Sequence, residues 1–159
     1  MSYRIQVFCN HSEPILFNEI VNFIDEGAYF EDLKILPLTG SDLSSSHDNV
    51  RTLEVSYEVD KSPVIVSKIT DNQEISKETE ELLFVLDLSK KSSVQQNIVK
   101  KLHETSQVFV FEFNKESVSE DCWEMLDSVE GFLASKFNGI IYAPDDGFFD
   151  ECLNHIYSL

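Results

Sequence analysis

Residues 107–113 read Gln-Val-Phe-Val-Phe-Glu-Phe. Extended, this segment puts Val108, Val110 and Glu112 on one face and Phe109, Phe111 and Phe113 on the other. Both faces are apolar over most of its length. A strand of that kind is satisfied only near the middle of a sheet covered on both sides. The rest of the chain must therefore supply neighbouring strands and covering helices. A length of 159 residues is enough for one such core and tight for two. The reading is a single α+β domain over residues 1–159.

The remaining elements follow from periodicity and punctuation. Arg4–Cys9 alternates as a strand, and Leu16, Phe17, Ile20, Phe23 and Ile24 recur at helical spacing after a cap at Ser12. Leu33–Leu38 is too brief to separate edge strand from loop, and Thr39–Asn49 reads as a surface loop. Leu53, Val55 and Tyr57 alternate, and Val64–Ile69 follows at hairpin distance, with Pro63 at the strand entry. Asp71 or Asn72 caps a helix through Ile75, Thr79, Leu82, Leu83 and Leu86, although Leu82–Leu88 also reads as a buried strand. Ser92 or Ser93 starts another helix, and Ser117-Val118-Ser119-Glu120 holds a capping-box pattern before a third. Gly139–Ala143 is a short strand, Pro144–Gly147 a turn, and Phe148–Tyr157 is predicted as a closing helix. The hairpin breaks the strict strand–helix alternation of a doubly wound sheet. The expected architecture is a mixed sheet of about five strands with a central hairpin and helices packed against it.

Charge narrows the function. There are 29 acids against 12 lysines and arginines, a formal net charge of −17. A general nucleic-acid-binding role is disfavoured, because phosphate contacts need a cationic surface. Attraction to an anionic membrane is disfavoured for the same reason, and no stretch approaches the length of a membrane span. No signal-peptide pattern is legible at Met1–Cys9. Cys9, Cys122 and Cys152 are odd in number and form no CxxC pair, which fits three thiols in a reducing cytoplasm.

No P-loop, GxGxxG or GxSxG motif is present, and His47, His103 and His155 show no metal-ligand spacing. Neither a metal nor a cofactor is expected. Three groups of residues remain. Glu120, Asp121, Glu124, Asp127 and Glu130 crowd one helix with no base among them, a face suited to a basic partner or to solubility alone. Asp145, Asp146, Asp150 and Glu151 cluster at the last turn. They lack calcium-loop spacing and read more simply as a cap and first turn of the closing helix. Cys9 and His11 are two apart at a strand end and could meet as nucleophile and base, although Cys9 also continues the apolar face of Ile5 and Val7.

The leading expectation is a non-enzymatic, cytoplasmic protein-binding module of inhibitor, immunity or adaptor type. It would dock a basic protein on Glu120, Asp121, Glu124 and Asp127 and on Asp145, Asp146, Asp150 and Glu151. The alternative is a small enzyme using Cys9 and His11, or the carboxylates near Asp145. A third reading is a structural subunit whose edge strand pairs with its own copy. The sequence leaves the oligomeric state open.

Overall fold

The computed structural model describes residues 2–10, 17–27, 30, 33–37 and 52–159. The readings at His11, Ser12, the 39–49 loop and His47 lie outside them. The elements run β1 (Ser2–Cys9), α1 (Phe17–Glu26), β2 (Lys34–Pro37), β3 (Thr52–Ser56), β4 (Val64–Ile69), α2 (Asn72–Leu88), α3 (Ser93–His103), β5 (Gln107–Asn114), α4 (Glu120–Lys136), β6 (Ile140–Ala143), β7 (Gly147–Phe149) and β8 (His155–Tyr157). The class is α+β, as expected. The sheet holds eight strands rather than about five, in the order β2-β3-β4-β5-β1-β6-β7-β8, and it is antiparallel rather than mixed. The β3–β4 hairpin is present but lies toward the β2 edge.

β5 and β1 are the two central strands in this order, for the reason visible in their side chains. Val108, Phe109, Val110, Phe111 and Phe113 are all buried, as are Ile5 and Val7 through Cys9. Burial of each large apolar side chain contributes about 1.5–3 kcal/mol. Within the segment read at Leu33–Leu38, Lys34–Pro37 is the edge strand β2, in register with β3 from Lys34↔Ser56 to Pro37↔Leu53, and Leu38 lies outside the described residues.

By packing, the chain divides into two compact units, and the division falls inside β1, β4, β5 and α4. One unit comprises Met1–Arg4, Glu13–Lys68 and Val110–Val129. Its buried residues alternate along the hairpin at Leu53, Val55, Val64 and Val66, and recur at helical spacing at Cys122, Met125, Leu126 and Val129. Arg4 Nε donates to Glu112 Oε1 at 3.1 Å, a half-exposed pair that contributes little.

The second unit comprises Ile5–Ser12, Ile69–Phe109 and Glu130–Leu159. Asp71 caps α2 by accepting from the Glu74 amide at 3.2 Å, and Ser92 caps α3 by accepting from Gln95 at 3.1 Å. Leu82–Leu88 is helical, which settles the ambiguity there. Buried Gln6 donates its side-chain amide to the Glu78 carboxylate. The expectation of a closing helix over Phe148–Tyr157 is overturned. β7 and β8 form a hairpin continuing the sheet from β6, with Tyr142↔Phe148 and Phe148↔Tyr157 as partners. Phe148 is fully buried against Tyr142, their ring centroids 5.0 Å apart. Gly147, at φ +104°, makes the entry to β7.

Candidate functional site

α4 starts at Ser119, whose Oγ accepts from the Cys122 amide at 3.2 Å. Ser117 does not cap it; its hydroxyl donates to the Asn114 carbonyl at 3.3 Å. From that start, Glu120, Glu124 and Asp127 fall on one face, with Asp121 beside them. The four carboxylates form a stripe about 10 Å long, given the 1.5 Å helical rise. All four residues are exposed, and among the described residues none of their carboxylates has a hydrogen-bond or ion-pair partner. Partial burial holds the Asp127 carboxyl above its ordinary range. Glu130 does not join the stripe. It lies farther round the helix and is 3% exposed, so its carboxylate belongs to the interior.

The second acidic group has a different local role from the one expected. Asp145 and Asp146 are exposed in the β6–β7 turn and cap no helix, because no helix follows. The Asp146 amide instead donates to the Ala143 carbonyl at 3.1 Å. Asp150 closes the β7–β8 turn, accepting from the Cys152 and Asn154 amides at 2.9 Å each and from the Asn154 side chain at 3.3 Å. Those donors hold its carboxyl below the usual range. Glu151 is exposed beside it. The eight carboxylates singled out in the sequence are thus divided four and four between the two units. Among the described residues, no three His, Cys, Asp or Glu side chains are placed to hold a metal ion.

Cys9 is fully buried, and burial pushes its thiol up to about 12. Its thiolate is a negligible fraction at neutral pH, so this environment does not activate a nucleophile. His11 lies outside the described residues. A Ser–His pair does occur, at Ser158 Oγ and His155 Nε2, 3.0 Å apart. The same Nε2 lies 2.7 Å from the Asp146 carbonyl oxygen, which can only accept. Nε2 must therefore carry a proton there, and it offers Ser158 no lone pair for general-base chemistry.

Two features escaped the sequence reading. Buried Tyr57 sits with its hydroxyl beside the Cys122 thiol. Burial, reinforced by that neighbour, pushes the hydroxyl up to about 12, and burial lifts Cys122 to about 12 as well. On α2, Phe84 and Leu88 are 67% and 74% exposed. The signal was available in Leu82-Leu83-Phe84-Val85-Leu86, since a helix cannot turn five consecutive apolar residues toward one core. No protein-family model, curated protein or solved structure gives a significant match to this chain. Among the described residues, no helix is long and apolar enough to cross a membrane.

Proposed function

We propose that this chain is a non-enzymatic protein-binding module of the cytoplasm that docks a basic partner on the exposed stripe Glu120, Asp121, Glu124 and Asp127. The observation that carries this reading is the stripe itself: Glu120, Glu124 and Asp127 on one face with Asp121 beside them, and among the described residues no cation paired with any of the four. Like charges at this spacing repel, and their dipole benefit at the helix start extends only to Glu120 and Asp121. A cationic partner relieves that repulsion and is steered to the site, raising its on-rate by about 10- to 1,000-fold at low salt. Asp146 and Glu151 offer further acids to such a partner, whereas Asp150 is committed to its own turn. The three free thiols fit a reducing compartment.

The test is co-purification of the intact chain at low salt, followed by titration of the recovered partner. A basic protein should be retained, and its affinity should fall steeply with added salt. Reversing Glu120, Glu124 and Asp127 to lysine should abolish binding while leaving the thermal melt in place. An affinity indifferent to salt, or unaffected by the reversal, removes this reading.

A further inference from the structure

The α2–α3 segment departs from the rest of the surface in both polarity and charge. Leu82 and Leu86 take the core-facing side of α2, which leaves Phe84 and Leu88, one helical turn apart, pointing away from it. Val85 and Val94 are exposed as well. Beside Phe84 lies a hollow of about 440 Å³ between the two helices, walled by Leu83, Asp87, Gln95, Val99 and His103. An exposed aromatic ring next to an open hollow is the arrangement of a binding anchor and its socket.

Charge indicates what fits there. Residues 72–103 carry five acids and five lysines, net zero in a chain of −17. The two signs are also sorted. α2 holds all five acids and only Lys77, whereas Lys90, Lys91, Lys100 and Lys101 lie in the following turn and α3 with no acid among them. A surface that meets its own copy across a two-fold axis must be self-complementary. If the axis passes between Phe84 and Leu88, the Phe84 of each copy meets Leu88 of the other. Glu81 then comes level with the other copy's Lys90–Lys91 turn.

We propose that the outer face of α2 with the start of α3 is a self-association surface, occupied by a second copy of this chain in a two-fold, antiparallel α2–α2 contact. A copy carries −17 and is repelled elsewhere, but here the local charge is nil and the halves are complementary. A basic partner, by contrast, is drawn to the exposed acids Glu120, Asp121, Glu124 and Asp127 of α4.

Sedimentation of the intact chain from about 1 μM to about 1 mM tests this. A dimer should form. Phe84→Asp and Leu88→Asp, both at exposed positions, should each raise its dissociation constant at least about tenfold with the thermal melt unchanged. Glu81→Lys should weaken the dimer, and adding Lys90→Glu and Lys91→Glu should restore it. A chain monomeric throughout, a dimer that survives Phe84→Asp, or a charge reversal that does not restore association overturns the proposal. None of these outcomes bears on the α4 stripe, which is read by a different ligand.

Discussion

The Gln95 side-chain amide donates to the Leu86 carbonyl oxygen at 2.8 Å, so α3 supplies a second donor to the last turn of α2. Gln95 is buried, and the carbonyl it serves lies in the last turn of α2, where the Ser89 amide also donates to it at 3.1 Å. Gln95→Leu keeps the bulk and removes the donor. It is expected to cost about 0.5–1.5 kcal/mol, the net worth of one hydrogen bond, because the Leu86 carbonyl keeps the Ser89 amide. Urea unfolding should show the midpoint lowered with the slope retained. An unchanged midpoint would mean that the Ser89 amide alone satisfies the Leu86 carbonyl.

Gly147 and Gly131 should respond differently to alanine. At Gly147, φ is +104°, and an added Cβ would come within 2.1 Å of the Tyr157 carbonyl oxygen. The backbone strain and the clash with a β8 main-chain atom fall on one residue, so Gly147→Ala should cost at least about 2 kcal/mol. Gly131 lies inside α4, where its Cβ would meet the Glu151 carbonyl at 3.3 Å. There a helical gain of about 1 kcal/mol offsets a tight contact, and the net change should stay under about 1 kcal/mol. Thermal melts of the two variants check both expectations.

The difference between these glycines also explains what could be read in advance. β5 was legible because both its alternating sets are apolar, a pattern that needs no partner to interpret. The caps at Asp71 and Ser92 were legible because each acts on an amide three residues away. The chain end was not, because Asp-Asp-Gly-Phe-Phe-Asp-Glu fits a helix start as well as a hairpin. The choice is made by Phe148, which is buried between β6 and β8, and by Asp150, whose carboxylate reaches over the turn to Asn154. The α4 stripe was legible because helical spacing alone sets a face. Glu130 was not, since its place nearer the core depends on what packs there. Phe84 was overlooked because an apolar run reads as core until the helix phase is fixed.

Asp150 gives the fold an acid-sensitive element. Its carboxyl is held below the ordinary range in the folded chain, so the folded state binds its proton less readily than the unfolded one. That contribution is complete above the ordinary carboxylate range and is lost as pH falls through the lowered value. The group is largely open to solvent, which keeps the effect at about 1 kcal/mol or less. Asp150→Ala should lose it at pH 7 and show a flatter decline in acid. Asp150→Asn retains an acceptor oxygen, so it should recover part of the turn without the pH dependence. Urea midpoints between pH 7 and pH 3 distinguish the three chains.

At alkaline pH the sign is opposite and the groups are buried. Cys9, Tyr57 and Cys122 are each raised to about 12, from ordinary values of 9.0 for the thiols and 10.0 for the hydroxyl. Between the ordinary and raised values the unfolded chain has lost protons that the folded chain keeps. Stability is therefore full below about pH 9 and falls as pH rises toward about 12, by up to about 1.4 kcal/mol per pH unit for each group. Cys9→Ala removes one ionisation, so its decline should be shallower, although the vacated volume lowers its stability at pH 7. Thiol accessibility supplies an independent check. Cys152 is exposed and should react with a disulfide reagent in the folded chain, whereas Cys9 and Cys122 should react only after unfolding. Rapid labelling of Cys9 in the folded chain at neutral pH would show an activated, accessible thiol and would restore the enzymatic reading of that strand end.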